Sequence, residues 1–293
     1  MKMISRRQKL FIAISAMIVA LWTLIPFFWM YYASFMTEPE VQRGIFRAVE
    51  EPTLDNYLRI FGLSETEALF GGQTKAIANG FLNSFIVALP TAIVGTAIAA
   101  LAGYAFGRFR FPAKTPLLFT LLMTRVLPPI AILIPYFTLF REVGMVGHPG
   151  GLILTYLTGV IPLLTWVLMG YFATLPVETE RAARLDGCSR IGVLWHIILP
   201  MAAPGISAAF IIAFLFSWNE LLFGIILTGG TNAQTLSPAL LAISPLTATG
   251  YSGIALFSAA SGLSILPPLL LALLFQRYIT RLNIVDPVTT RED

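Results

Sequence analysis

No charged side chain falls between Leu10 and Thr37, between Ala76 and Gly107, or between Val143 and Val177. No other feature narrows the possible folds as far. A helix needs about 20 apolar residues to cross a bilayer, and each stretch is long enough. The composition agrees, at 57% hydrophobic and 12% charged, where a soluble domain carries about 25% charged residues. Six spans are predicted, over residues 11–35, 81–106, 116–140, 151–175, 204–227 and 253–279. In lipid only helices and closed barrels satisfy their own backbone groups. Barrel strands would show as alternating segments of about ten residues, a pattern this sequence lacks. The expected fold class is all-α: a polytopic membrane protein with six transmembrane helices, forming one membrane domain across residues 1–293. The first span has too long an apolar run for a cleaved leader and no small-residue cleavage site after it, so it reads as an anchor.

Lys and Arg in short loops set orientation. Lys2, Arg6, Arg7, Lys9, Arg108, Arg110, Lys114, Arg181, Arg184, Arg190, Arg277, Arg281 and Arg291 fall on one side, 13 of the 19 basic residues. Arg43, Arg47, Arg59, Lys75 and Arg141 fall on the other, and Arg125 lies inside a span. Both termini are therefore expected in the cytoplasm. The net charge of +4 reflects this topology and does not point to nucleic acid. The single Cys188 excludes an internal disulfide, and His148 and His196 sit on opposite sides, so no metal-ligand cluster is expected. None of the four lysines follows a glycine as a phosphate-binding GK[ST] loop requires. No nucleophile–base pair is visible either, so the chain reads as a non-enzyme that binds no cofactor of its own.

Two outer loops stand out. Residues 36–80 hold seven carboxylates against four bases. Within them "PTLDNYLRIF" has the spacing of a short amphipathic helix, with Thr53 as N-cap and Leu54, Tyr57, Leu58 and Phe61 on one face. It reads as a lid on the membrane surface or as a docking site. Residues 228–252 carry no charge and are rich in turn formers. They read either as flexible filler or as backbone dipping into a cavity.

Few residues within the spans are polar. Arg125 lies about 14 Å into its span at about 1.5 Å per residue, where a charge costs about 2.5 kcal/mol or more. It reads as a pathway or substrate contact, or as a structural partner of Glu220. Pro128 and Pro129 break the helix just beyond it. Pro90, Pro135, Pro162, Pro267 and Pro268 are further kink sites. Glu220, the only carboxylate inside a span, stands with Ser217 and Asn219 in "SWNELLF" as helix–helix glue or as part of a route. Asn83 and Ser84 read as interfacial caps rather than ligands.

The cytoplasmic loop 176–203 contains "ETERAARLDGCSRIGVLWHIILP". Pro176 suits a helix start, Glu178 and Glu180 suit the dipole of a first turn, and Gly187 suits a helix stop. Ile191, Leu194, Trp195, Ile198 and Leu199 then share one face of an interfacial helix. The loop would present a short rigid helix, anchored by an oily foot, to a soluble partner; an ordinary amphipathic connector is the plainer alternative.

The same stretch resembles the EAA loop of ABC importer permeases at Ala182, Ala183, Asp186, Gly187, Ile197, Leu199, Pro200 and Pro204. Arg181 stands where that family carries a glutamate, with Glu180 one residue earlier. "TLDNY", "NSFIVALPTAIVGTAIAALAGYAFGRFRFP", "IPYFTLFREVGMVG", "SWNELLF" and "LLFQRYI" extend the likeness along most of the chain. They are similar to the maltose-type carbohydrate branch, to the permease without a large extra outer domain. The tail "RLNIVDPVTTRED" departs from the family's usual ending.

The resemblance implies a Type I importer in the inner membrane. Its partners would be a second permease, two copies of a cytoplasmic ATPase that use ATP and Mg, and an external binding protein. Glu180, Arg181, Ala182, Ala183, Asp186 and Gly187 would dock the ATPase. Arg125, Asn219 and Glu220 would line the pathway. Thr231, Asn232 and Gln234, in the loop that enters the binding protein in this branch, would contact that protein. The competing reading is an ion-gradient-driven secondary transporter, which explains kinked spans and Arg125 but not the EAA loop.

Overall fold

The computed structural model describes residues 6–44, 49–64, 71–244 and 253–279. Among them every regular element is helical. The elements are α1 (Arg6–Ser34), α2 (Glu38–Gln42), α3 (Asp55–Ile60), α4 (Gly71–Arg108), α5 (Lys114–Met123), α6 (Pro129–Glu142), α7 (Pro149–Thr174) and α8 (Val177–Leu185). They continue with α9 (Arg190–Val193), a π turn (Leu194–Ile198), α10 (Leu199–Met201), α11 (Ala203–Asn219), α12 (Leu222–Thr228), α13 (Leu236–Ala242) and α14 (Ile254–Ile279). The chain is all-α and polytopic. Four helices, at Arg6–Ser34, Thr74–Arg108, Pro149–Thr174 and Ile254–Arg277, are long and apolar enough to cross a membrane. They fall on the first, second, fourth and sixth predicted spans.

The other two predicted spans are broken. The third is α5 and α6 joined by a non-helical stretch. Pro128 is extended (ψ 133°) and Pro129 opens α6. Proline cannot donate to the helix ladder and pushes the residue before it out of the helical region. The break starts earlier than the prolines: α5 ends at Met123, and Arg125 sits in turns closed by its own N–H to the Leu122 carbonyl. Arg125 is thus in the break rather than on a helix. In the fifth span α11 stops at Asn219 and Glu220 is extended (φ −70°, ψ 130°). Glu220 is therefore not inside a helix, as its place in the apolar run suggested, but at the joint between α11 and α12.

Before the fifth span, Arg190–Met201 and Ala203–Asn219 meet at 75°. The π turn lies directly ahead of Pro200, whose missing N–H and bulky ring widen the helix at that point. This turn splits the face expected for the interfacial helix. Val193, Leu194 and Ile198 are buried, whereas Ile191 and Trp195 remain exposed as the oily foot.

The chain divides into two compact units, Met1–Ala78 with Ala239–Leu266, and Asn79–Pro238 with Pro267–Asp293. In the first, the segment that follows α1 is stitched to its end. Asn56 donates to the Ser34 and Met36 carbonyls, both at 2.9 Å, and the Ser34 and Tyr57 hydroxyls meet at 2.7 Å. Here the sequence reading is corrected. Thr53 stands one residue before the N-cap, Leu54, yet its hydroxyl accepts from the Asp55 N–H at 3.1 Å, and the buried residues of α3 are Asn56 and Ile60. Leu54, Leu58 and Phe61 are exposed, because the polar anchor Asn56 turns the helix. Glu38 accepts from the Ile254 and Ala255 N–H groups, closing the N-terminus of α14 with a carboxylate.

Glu40 organises the same loop. Its carboxylate accepts from the Thr37 hydroxyl and N–H and from the Glu51 and Glu50 N–H groups. These bonds, led by the Thr37 hydroxyl, hold its carboxyl well below the ordinary 4.5, at about 2. A lowered folded-state value means the stabilisation is complete above the unfolded value and fades as pH falls through the folded one. Protection of the Glu50 and Glu51 amides from hydrogen exchange should therefore hold above pH 4.5 and be lost toward about 2, and Glu40→Gln should flatten that profile.

In the second unit α4 packs on α7 through small residues. Ala88, Ala92, Ala99 and Ala100 are buried, and Gly95, Gly103 and Gly107 lie against Val160, Leu168 and Met169. A row of small side chains lets membrane helices approach closely. Around it Val87, Phe140, Leu152, Tyr156, Phe223 and Leu227 form one apolar cluster joining α4, α6, α7 and α12. This cluster fixes the two broken spans beside each other.

Candidate functional site

The breaks place polar groups at the height of apolar helices. Glu220 bridges α11, α12 and α7. Its Oε2 accepts from the Tyr156 hydroxyl at 2.8 Å and from the Gly224 N–H at 3.2 Å, and Oε1 accepts from the Phe223 N–H at 3.1 Å. The carboxylate thus serves as the N-terminal acceptor of α12, which is the physical reason the span restarts there. Tyr156 is 1% exposed, so its hydroxyl depends on this acceptor.

Arg125 and Glu220 form no ion pair among the described residues. Arg125 instead lies 5.5 Å from the centre of the Phe216 ring, a cation–π contact to α11. It also rests on Gly159 of α7, where a Cβ would come within 3.1 Å of Nη1. Arg125 is exposed, and the carboxylate once considered as its partner is occupied elsewhere. Asn219 is also exposed and turns back to the Leu215 carbonyl at 2.9 Å. Nearby, the Tyr136 and Thr158 hydroxyls meet at 2.9 Å between α6 and α7. Neither residue stood out in the sequence, since a lone hydroxyl in an apolar run carries no pattern.

The uncharged loop after α12 is ordered over its described part, up to Ser244. Asn83 donates to the Asn232 and Gln234 carbonyls at 2.8 and 2.9 Å, and Ser84 accepts from the Leu236 N–H at 2.9 Å. Gly80 lies so close to Leu236 that a Cβ would meet its Cα at 3.0 Å. Gln234 accepts from the Gly230 N–H through its side chain. Thr231 and Asn232 are left exposed at the tip, and Thr235 and Leu236 are buried. Asn83 and Ser84 are therefore clamps on this loop rather than interfacial caps. The polar pair at the end of an apolar run was the only sequence signal for it. The later part of the loop, residues 245–252, lies outside the described residues.

At the opposite end, α8 is closed by Gly187 at φ +89°, a conformation that favours glycine. The Cys188 N–H donates to the Ala183 carbonyl and the Gly187 N–H to the Arg184 carbonyl, which satisfies the helix end. Arg181, Ala182, Arg184 and Asp186 are exposed, as is Leu185 at 89%. Ala183 faces inward at 6% exposure. Glu180 also turns inward, to an ion pair with Arg108 at 2.9 Å. Arg108 went unremarked as a site residue because its partner lies more than 70 positions away.

Helices long enough to span a membrane, two spans broken at polar residues, and a short helix stopped by Gly187 define a polytopic membrane component. The chain belongs to the family of binding-protein-dependent transport system inner membrane components, whose model matches residues 99–283. It is 31% identical over 284 residues to the trehalose/maltose transport system permease protein MalG of Thermococcus litoralis, covering 93% of this chain and 94% of that one. The trehalose transport system permease protein SugB of Mycobacterium tuberculosis is 30% identical over 277 residues, covering 94% and 95%. The sulfoquinovosyl glycerol transport system permease protein SmoH of Agrobacterium fabrum is 30% identical over 275 residues, covering 92% and 89%. The fold is that of a chain in the crystal structure of a bacterial ABC transporter that imports alginate. That match has a TM-score of 0.75 at 19% identity and covers 95% of this chain and 100% of the other. The chain is an ABC transporter permease of the carbohydrate branch.

Proposed function

We propose that this chain is one of two permease subunits of an ATP-driven, binding-protein-dependent importer for a sugar, polyol or glycerol-based solute. The observation that carries this reading is the kinship, over more than nine-tenths of the chain, with permeases named for trehalose and maltose. In this reading the termini and α8 face the cytoplasm. Two copies of an ATPase use ATP and Mg there, each gripping the α8 of one permease. Arg181, Ala182, Asp186 and Gly187 form the grip on this chain, and the exposed tip Thr231–Asn232 with Gln234 faces the external binding protein. ATP binding draws the ATPases together, α8 moves with them, and the pathway changes the side on which it opens.

Arg125 is the pathway residue of this reading. Its guanidinium is exposed, held by Phe216 and Gly159, and free of a carboxylate among the described residues. Such a group donates to hydroxyls or to an anionic substituent on a passing solute. Asn219 adds an exposed amide at the neighbouring break.

The test begins with the tagged chain purified in mild detergent from its native membranes, with bound subunits identified by mass. The recovered complex is placed in liposomes with its binding protein and assayed with radiolabelled trehalose, maltose and glycerol. Uptake should require ATP, and Arg125→Ala should lower it about tenfold, the loss of one charged hydrogen bond, while the complex stays assembled. Wild-type uptake in that variant would reduce Arg125 to a structural role. A chain that purifies alone and transports in ATP-free vesicles along an ion gradient would replace the importer reading with that of a secondary carrier.

A further inference from the structure

Glu180 and Arg181 are adjacent in sequence and point in opposite directions. Arg181 is exposed, and Val177 and Leu185 lie one turn before and after it at 38% and 89% exposure, so the three form the outer ridge of α8. Glu180 is on the inner side. Its Oε1 lies 2.9 Å from Nε of Arg108, and the two side chains are only 16% and 7% exposed. Arg108 is the last residue of α4, and its Nη2 donates to the Leu175 carbonyl, just past the end of α7, at 2.6 Å. One guanidinium therefore joins three elements: the end of α4, the end of α7 and the first turn of α8.

The kind of bond matters as much as its place. Nε and Oε1 lie at ion-pair distance yet have no hydrogen-bond partner, so their geometry is not that of an aligned hydrogen bond. The attraction between two charges depends on distance and little on angle. Tyr104 of α4 also hydrogen-bonds the Glu180 carboxylate, so both side-chain contacts of Glu180 tie α8 to the last turn of α4. Removing one partner would leave the other charge buried and unpaired, which is strongly unfavourable, so the tether does not open readily.

We infer that Glu180 is a positioning residue, the pivot through which displacement of α8 is passed to α4, and not a contact for the ATPase. This rests on the proposed docking of an ATPase at α8 and corrects the placement of Glu180 on the docking face. The docking face is the exposed side of α8, where Val177 and Leu185 flank the grip of Arg181, Ala182, Asp186 and Gly187; the pivot is on the other side of the same helix. Arg108 carries the motion onward because it belongs to α4, whose small-residue face is packed closely on α7.

The test uses the complex purified from native membranes, with Cys188→Ser and a bimane fluorophore on Arg110→Cys, two residues past α4 and outside the proposed machinery. Wild-type complex should change bimane fluorescence on adding ATP with vanadate. Glu180→Gln and Arg108→Gln should each keep the ATPase bound and lower that response about tenfold, the size of effect expected along a coupling route. Exchanging the charges, Glu180→Arg with Arg108→Glu, should restore most of it. A response unchanged in the single variants would overturn the pivot, as would an exchange that fails to restore it. Loss of the ATPase from Glu180→Gln but not from Arg108→Gln would make Glu180 a docking contact instead. A wild-type chain that recovers no ATPase would defeat the docking reading itself, and the pivot with it.

Discussion

Replacing Gly103 with leucine should destabilise the chain by about 3 kcal/mol, at the upper end of the usual cost of overpacking. A Cβ at this position would meet the Leu168 Cβ at 2.9 Å, the Met169 nitrogen at 3.0 Å and the Leu168 carbonyl carbon at 3.2 Å. Two of the three are backbone atoms of α7 and cannot rotate aside. Gly107 below it meets the Met169 carbonyl oxygen at 3.0 Å and Gly95 above it meets Val160 at 3.1 Å, so the helices have no room to part at one point alone. The side-chain branch adds to a clash that alanine would already feel. Gly170 is the control: nothing lies within 4 Å of its Cβ position. Gly170→Leu should change stability by no more than about 1 kcal/mol. Unfolding of the purified full chain in mixed micelles, followed by tryptophan fluorescence, reads both. Equal stability of the two variants would mean that α4 and α7 are not in this close contact.

Glu220→Ala should cost about 3 kcal/mol, because it strips acceptors from the buried Tyr156 hydroxyl and from the Phe223 and Gly224 N–H groups together. The two backbone groups carry most of this. A side-chain hydrogen bond between membrane helices averages about 0.6 kcal/mol, so Tyr156→Phe should cost no more than about 1 kcal/mol. Unpaired backbone groups in an apolar setting have no such relief, and α12 would lose the acceptor that starts it. Glu220→Gln keeps an acceptor oxygen and should fall between the two. The same unfolding assay ranks the three variants, and a double-mutant cycle of Glu220 with Tyr156 isolates their coupling. If Glu220→Ala were no worse than Tyr156→Phe, the carboxylate would not be holding the joint between α11 and α12.

The two positions differ in how far the sequence announced them. The small residues from Ala88 to Gly107 recur at helical spacing within an apolar run, yet the sequence does not say which helix they face. Glu220 was conspicuous as a lone carboxylate, and its partners were not. A structural pair with Arg125 is one of two readings the sequence allows, because both are charged and both lie among apolar residues. In the structure Tyr156 and the start of α12 occupy the carboxylate, while Arg125 lies on Phe216 and Gly159. The loop after α12 was undecided between filler and a built element, because the decisive donors, Asn83 and Ser84, lie about 150 positions earlier.

The sequence by itself determined what depends on neighbours along the chain. Uncharged runs of sufficient length required membrane helices, Pro128 and Pro129 required a break in the third span, and Gly187 with the residues before it required a short stopped helix in the loop after α7. These follow from the solvation of consecutive residues, a missing N–H and an allowed φ, all local. Tertiary structure alone decided which polar group meets which. One step along a helix turns a side chain by about 100°, so Glu180 and Arg181 part company according to how α8 is rotated against α4. That rotation is set by packing with Arg108 and Leu175, residues that only folding brings within reach.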